Sequence, residues 1–125
     1  MKNMSDNIKA CSTLPAQKTA RGWEKTYVFS ASFPGFQGHF PQNPVLPAIL
    51  QLMTAREAIA EQIGRDVLIT GVKQAKFRRI VTPDTPVTVI WTLNEEENTL
   101  LSKCILETEG NPVSSFTLTL TAISD

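Results

Sequence analysis

The sequence has few of the residues that build metal centres. It contains one histidine, His39, and two cysteines, Cys11 and Cys104, which are too far apart to match a metal-binding or redox spacing. Because a protein zinc site takes about four ligands, chiefly cysteine and histidine, an ordinary zinc site is excluded. We expect no metal and no organic cofactor. Distant, isolated cysteines are typical of a reducing compartment, so we expect a cytoplasmic location.

The sequence also lacks an excess of charge and a long apolar run. Twelve Lys and Arg residues balance twelve Asp and Glu residues, so no overall positive field attracts nucleic acid or an anionic membrane. No stretch approaches the roughly 18 apolar residues of a membrane-spanning helix, and the N-terminal segment has no signal-peptide core. We therefore expect neither nucleic-acid binding nor membrane insertion.

The chain divides into an N-terminal arm and one domain. Residues 1–21 are polar and without periodicity, so we expect an irregular or flexible arm before a single domain at residues 22–125. From Trp23 to Ala31 inward and outward residues alternate, which indicates a strand. The same two-residue period predicts four later strands: Val67–Phe77, Val87–Leu93, Leu100–Glu107 and Val113–Ile123. Residues 94–98 and 109–112 are predicted to be the connecting turns.

One long helix is predicted between Pro47 and Gly64. Proline suits a first helical turn and glycine suits the C-terminal cap. Its predicted apolar arc comprises Ile49, Leu52, Met53, Ile59, Ala60 and Ile63. Arg56 lies within that arc and is interpreted as a side chain at the edge of the core. One helix followed by successive hairpins indicates an α+β domain.

Two segments flanking this helix resemble a known family. Residues 38–41, GHFP, and 44–47, PVLP, resemble the GHFPxxPVxPG signature of bacterial beta-hydroxyacyl-[acyl-carrier-protein] dehydratases. Residues 77–84, FRRIVTPD, resemble the same family's second landmark. The similarity extends over residues 23–122. It implies a hot-dog fold, in which one long central helix packs on a curved antiparallel β-sheet.

The resemblance implies that His39 is the catalytic base. Dehydration removes the C2 proton of a 3-hydroxyacyl thioester, and an imidazole with an ordinary pKa near 6.5 is largely neutral at cellular pH. In the family, the backbone N–H after the second proline stabilises the enolate oxygen. That residue is Ala48 here, where glycine is usual. The other residues expected to bind substrate are Gly38, Phe40, Ile49, Met53 and Phe77. Outside such a motif, a histidine in a proline-rich loop is more often a structural loop residue.

The family's general acid is missing from its usual position. A carboxylate follows the histidine by 14 residues in the family, and that position is Met53 here, whose thioether cannot donate a proton. Glu57 lies four residues later on the same helical face and is the candidate replacement. The alternatives are that Glu57 is an ordinary solvated glutamate, or that His39 serves both proton transfers.

Lys76, Arg78 and Arg79 form a basic patch in an otherwise neutral chain. Acyl carrier protein is acidic and coenzyme A carries phosphates, so the patch is a candidate docking site for a carrier-linked thioester. Ordinary surface charge is the alternative. The candidate acyl-channel residues are Phe33, Phe36, Phe40, Phe77 and Ile80. Because a lone small sheet leaves an open edge, we expect a homodimer or an oligomer of dimers.

The function implied by the resemblance is a lyase reaction. We expect dehydration of (3R)-hydroxyacyl thioesters on acyl carrier protein to trans-2-enoyl thioesters, in fatty-acid-type biosynthesis. Two alternatives remain at this point: a non-catalytic hot-dog protein that binds acyl thioesters, and an acyl thioesterase, since one fold hosts several chemistries.

Overall fold

The computed structural model describes residues 3–36 and 44–123. These residues form two α-helices, a short 3-10 helix and seven strands. In chain order the elements are α1 (Met4–Lys9), β1 (Gln17–Thr19), β2 (Gly22–Val28), η1 (Pro34–Phe36), α2 (Ala48–Ile63), β3 (Val67–Phe77), β4 (Pro86–Trp91), β5 (Asn94–Glu96), β6 (Thr99–Thr108) and β7 (Asn111–Ala122). One long helix on one sheet confirms the α+β class.

The strands form one antiparallel sheet. Its order is β1-β2-β4-β6-β7-β3, and β5 pairs with β6 beside this path. β3 pairs with β7 alone, so its other edge is open within the described chain. The apolar face of β7 comprises Phe116, Leu118 and Leu120, which are buried as their alternation predicts. This face and the inward residues of β2, β4 and β6 form the core beneath α2.

The predicted ends of the long helix are confirmed. α2 begins after Pro47, whose φ of −62° and ψ of 153° are extended, and ends at Gly64, whose φ of 73° is left-handed. Gly64 N–H donates to the Ala60 carbonyl at 2.9 Å, closing the last turn. Glycine adopts this conformation without the steric cost that other residues incur, which explains why the helix stops here.

The predicted buried arc of α2 is partly wrong. Ile59 and Ala60 are buried, and Leu52, Met53 and Ile63 pack against the core from its margin, but Ile49 is 61% exposed. The side chains buried instead include three polar ones, Gln51, Thr54 and Glu57. Thr54 donates to the Leu50 carbonyl at 2.7 Å. Burial of a polar group is tolerated when it is hydrogen-bonded, and the helix is therefore rotated relative to its purely apolar arc.

The N-terminal arm contains regular structure that the sequence analysis did not expect. α1 is capped by the Asn3 side chain, which accepts from the Asp6 N–H at 2.8 Å. Ile8 is 0% exposed and belongs to the core cluster. Val28 N–H donates to the Cys11 carbonyl at 2.9 Å, joining the arm to the end of β2. So short a helix is marginal alone, and its stability here comes from this packing.

The predicted strands occur with shifted ends. β2 ends at Val28 rather than Ala31, and β4 ends at Trp91 rather than Leu93. Residues 94–98, predicted as a turn, contain β5, and the reversal falls after it at Glu97, where φ is 53°. Among residues 3–36 and 44–123, no helix is long and apolar enough to cross a membrane.

The burial of Ile8 predicts that α1 contributes to stability. Ile8→Ala should lower the free energy of unfolding by about 2–5 kcal/mol, because the truncation leaves a cavity in a packed core. The measurement is denaturant unfolding. Leu14→Ala is the matched control, since Leu14 is 66% exposed in the same arm. A detached arm would give the same small change for both variants.

Candidate active site

The two sequence landmarks meet beside the N-terminal end of α2. The Leu46 N–H, in the first landmark, donates to the Val81 carbonyl, in the second, at 2.8 Å. The second landmark is held in turn by the Asp84 N–H, which donates to the Phe29 carbonyl at 2.8 Å. Segments more than thirty residues apart in sequence are therefore joined directly at the start of the helix.

η1 lies against the same helical turn. A β-carbon at Gly35 would overlap the Leu50 side chain and the Phe33 ring, so a larger residue there would require these side chains to shift. Phe33 and Phe36, expected as candidate channel residues, are buried with their ring centroids 5.8 Å apart, and Phe33 also packs on Phe29. These two rings are part of the core.

The expected oxyanion donor lies at an exposed helix start. Ala48 is the first residue of α2 and is exposed. The first N–H groups of a helix have no carbonyl partner within the helix and lie at the positive end of its dipole. His39, Gly38 and Phe40 lie outside the described residues, so their roles stay predictions.

The remaining expected substrate-binding residues lie at the surface around this helix start. Met53 is half-buried in α2, about 7.5 Å along the axis from Ala48 at 1.5 Å per residue. Phe77 is 44% exposed and stacks on Phe116, with centroids 6.3 Å apart. Ile80 and Ile49 are also exposed. Phe77, Ile80 and Ile49 therefore each expose apolar side-chain surface.

Glu57 is buried rather than solvated. Its side chain is only 3% exposed, and its Oε2 lies 3.7 Å from Lys9 Nζ. Its Oε1 accepts hydrogen bonds from the Ser5 hydroxyl and from Arg56, the latter at 2.9 Å. Arg56, interpreted from sequence as a core-edge side chain, is thus in an ion pair. Both Glu57 oxygens contact cationic or hydroxyl groups, two of them on α1.

A cavity of about 530 Å³ lies beside the C-terminal half of α2. Glu57, Tyr27 and Lys25 are among its lining residues, and none of the described landmark residues, 44–47 and 77–84, lines it. Burial, followed by the nearby Glu61 and Glu57 charges, raises the pKa of Tyr27 well above its ordinary value. The phenol therefore stays neutral. Lys25 is buried and donates to both Glu61 oxygens at 3.0 Å.

The basic patch extends further than the sequence indicated. Lys76 and Arg78 line a groove of about 460 Å³ together with Lys103, which the sequence analysis missed. Lys103 lies between Ser102 and Cys104, both buried, so the strand period places it on the sheet face opposite α2. Its alternation in β6 was the available signal. Arg79 borders a separate hollow, with Arg78 and Pro112.

The cysteines are poor nucleophiles. Burial raises the pKa of Cys104 to about 12 and also raises the pKa of Cys11. Because the thiolate is the reactive form, neither thiol is suited to attack a thioester at neutral pH.

Solved structures with this arrangement define the fold. The dehydratase heterocomplex ApeI:P from Xenorhabdus doucetiae gives a TM-score of 0.71 at 16% identity, covering 86% of this chain and 95% of that one. A hypothetical thioesterase with coenzyme A from Streptococcus pneumoniae gives 0.69 at 11% identity, covering 98% and 95%. At such identities the likeness shows the fold alone, and it confirms the hot-dog fold.

Sequence relatives identify the family. The ApeI-like family model, described as ApeI dehydratase, matches residues 16–117. The 3-hydroxyacyl-[acyl-carrier-protein] dehydratase FabZ of Latilactobacillus sakei is 39% identical over 92 residues, 67% of this chain and 66% of that protein. FabZ of Chloroflexus aggregans is 41% identical over 61 residues, 43% and 42% of the two chains. This chain belongs to the ApeI-like dehydratase family. It spans between 42% and 66% of the length of these two curated relatives.

Proposed function

We propose that this protein dehydrates (3R)-hydroxyacyl thioesters carried by acyl carrier protein, giving trans-2-enoyl thioesters in fatty-acid-type biosynthesis. His39 removes the C2 proton, the C2–C3 double bond forms, and the C3 hydroxyl leaves as water after it is protonated. The Ala48 N–H donates to the thioester oxygen as negative charge develops there. We expect this chemistry to take place in the cytoplasm.

The observation that carries this proposal is the contact between the two landmarks. The Leu46–Val81 hydrogen bond brings the end of the histidine motif to the second landmark beside Ala48. Ile49, in the first turn of α2, and Phe77, in the second landmark, expose apolar surface, which suits an acyl chain. Membership of a dehydratase family and the FabZ relatives support the same reaction.

The direct test of the reaction is a thioester assay with wild type and His39→Ala. Purified protein is given 3-hydroxybutyryl and crotonyl thioesters of both acyl carrier protein and coenzyme A, and hydration, dehydration and hydrolysis are measured together. We expect reversible hydration in wild type and none in the variant, because His39 is the proposed base. The thermal unfolding of the variant is the control for its fold.

Three results, from that assay and from a thioester-binding measurement on the same proteins, would contradict the proposal. Hydrolysis without hydration would indicate a thioesterase. Binding without turnover would indicate a non-catalytic acyl-thioester-binding protein. A folded His39→Ala variant with wild-type rates would remove His39 from the mechanism.

The contacts of Glu57 bear on which group supplies the acid. The backbone of Glu57 lies about 13.5 Å from the backbone of Ala48 along the α2 axis, at 1.5 Å per residue. Its two oxygens already accept from Ser5 and Arg56 and pair with Lys9. These contacts favour a structural role for Glu57. His39 acting in both proton transfers is then the simplest source, and the heterocomplex from Xenorhabdus doucetiae suggests a second subunit as another.

Met53→Glu should raise the dehydration rate by about 10²-fold, the lower end of what a positioned acid contributes. An apolar tunnel would favour the neutral, proton-donating form of the new carboxyl. Glu57→Gln is the paired variant, and it should leave the rate unchanged if Glu57 is structural. The measurement is the initial rate on one substrate. An inert but folded Met53→Glu, or a strong loss in Glu57→Gln, would contradict this assignment.

We also propose that the basic groove docks the acidic carrier. Lys76, Arg78 and Lys103 line the groove, and none of the described residues that line it carries a carboxylate. Arg79 extends the positive surface beside Arg78. Opposite charge on the two partners would speed their association and make it sensitive to salt.

Reversing the charge of this surface separates docking from chemistry. Arg78→Glu with Arg79→Glu should weaken turnover of carrier-linked substrate far more than turnover of a short pantetheine thioester. The wild-type preference for the carrier should fade as salt is raised. Glu95→Arg is the control, an exposed charge reversal on β5. Equal losses on both substrates would indicate a structural role for the arginines.

A homodimer through β3 is the proposed assembly. The outer edge of β3 has no partner strand in the described chain, and Leu68, Val72 and Phe77 expose apolar surface along it. Such an edge is usually covered in a native protein. Sedimentation of the isolated chain at micromolar concentration checks this assembly, and a monomeric mass would contradict it in favour of a different partner subunit.

A further inference from the structure

Gln51 is a buried amide at the start of α2 that the proposed chemistry does not use. Gln51 is 3% exposed, and Ser114, opposite it on β7, is 1% exposed. The Ser114 hydroxyl donates to Gln51 Oε1 at 2.7 Å. Gln51 Nε2 donates to the Leu46 carbonyl at 3.4 Å. The Gln51 side chain thus links α2 to β7 and to Leu46, in the chain segment that enters the helix.

The orientation of this amide follows from its partners. A backbone carbonyl only accepts, so the NH₂ of Gln51 must face Leu46. The amide oxygen is then left for Ser114, whose hydroxyl can donate. Among the described residues, no buried side-chain nitrogen or oxygen lacks a partner. The arrangement therefore leaves both side chains satisfied inside the core, where an unpaired polar group is costly.

Leu46 is the residue through which this network reaches the candidate site. Its carbonyl accepts from Gln51, and its N–H donates to Val81 at 2.8 Å. Both polar backbone groups of one residue are therefore occupied, one by α2 and one by the second landmark. Ala48 follows two residues later, after Pro47, whose ring restricts the backbone between them.

We propose that Gln51 is a positioning residue for the oxyanion donor, acting through Leu46 on the Ala48 N–H. The Gln51–Ser114 hydrogen bond fixes the distance between the first turn of α2 and β7. The Gln51–Leu46 bond fixes the chain that enters that turn. Together they aim the Ala48 N–H relative to Phe77, whose strand partner is Ser114 itself. This inference rests on the proposed dehydratase function.

The primary variant is Gln51→Met, which keeps the length of the side chain and removes both hydrogen bonds. We expect kcat for crotonyl thioester hydration to fall by about 10²-fold, the effect of a misplacement near 1 Å at a reacting centre. KM should change little, because the donor acts mainly in the transition state. Ser114→Ala should lower kcat by a smaller factor than Gln51→Met does. Ser114→Thr should keep the wild-type kcat, since the hydroxyl is retained.

Ser102→Ala is the matched control. Ser102 is a serine at 0% exposure on the neighbouring strand β6, and it contacts Cys104 rather than α2. It should leave kcat at the wild-type value while costing comparable stability. A second measurement needs no activity: hydrogen exchange of the Leu46 amide should quicken in Gln51→Met and Ser114→Ala but not in Ser102→Ala.

The two measurements separate failure of this inference from failure of the proposed function. If wild type lacks dehydratase activity, the exchange rate of the Leu46 amide alone decides whether Gln51 fixes the position of Leu46. If Gln51→Met does not fold, Ser114→Ala and Ser114→Thr carry the comparison. Wild-type kcat and wild-type Leu46 exchange in folded Gln51→Met or in Ser114→Ala would overturn the positioning role. An equal loss of kcat in Ser102→Ala would also overturn it.

Discussion

The hydrogen bond from the Leu46 amide to the Val81 carbonyl joins the parts of the molecule on which the candidate site depends. It ties the end of the histidine motif to the second landmark at the first turn of α2. On the other side of the motif, Gly35 in η1 lies against the Leu50 side chain, in the same turn. The chain segments before and after the motif are thus both held at the first turn of α2. The chemistry proposed for the motif relies on this shared support.

Buried polar groups fix the position of α2 on the sheet. Gln51 bonds to the sheet and to Leu46, while Glu57 bonds to α1 and Arg56. Apolar packing is non-directional, whereas a buried polar group is stable only where it meets its hydrogen-bond partner. The N-terminal half of α2 is positioned by Gln51 and the C-terminal half by Glu57. The first contact serves the candidate site, and the second attaches the N-terminal arm.

The features that were predictable from sequence depend on local chemistry. Pro47 and Gly64 marked the ends of α2 because one residue restricts φ and the other tolerates a positive φ. The alternation in β7 predicted its buried face because a strand has a strict two-residue period. The two landmarks predicted the fold, which the solved structures confirm, because they carry the family pattern before and after the helix in sequence.

The features that were missed depend on contacts between distant residues. Ile49 was expected to be buried and is exposed, because hydrogen bonds from Ser114 and to Leu46 make Gln51 the better residue to bury. α1 could not be recognised in a polar arm because the burial of Ile8 depends on the folded core. Lys103 joins the basic groove only when β6 and β3 lie on either side of β7.

The central claim is that an acyl thioester binds where the two landmarks meet. The most direct measurement titrates crotonyl coenzyme A into isotopically labelled His39→Ala protein, which should bind without turnover, and follows the backbone amide NMR shifts. We expect the amides of Ala48, Ile49 and Val81 to shift together and to saturate at one ligand concentration. Shifts confined to Tyr27, Ala60 and Gly64, around the cavity near Glu57, would contradict it.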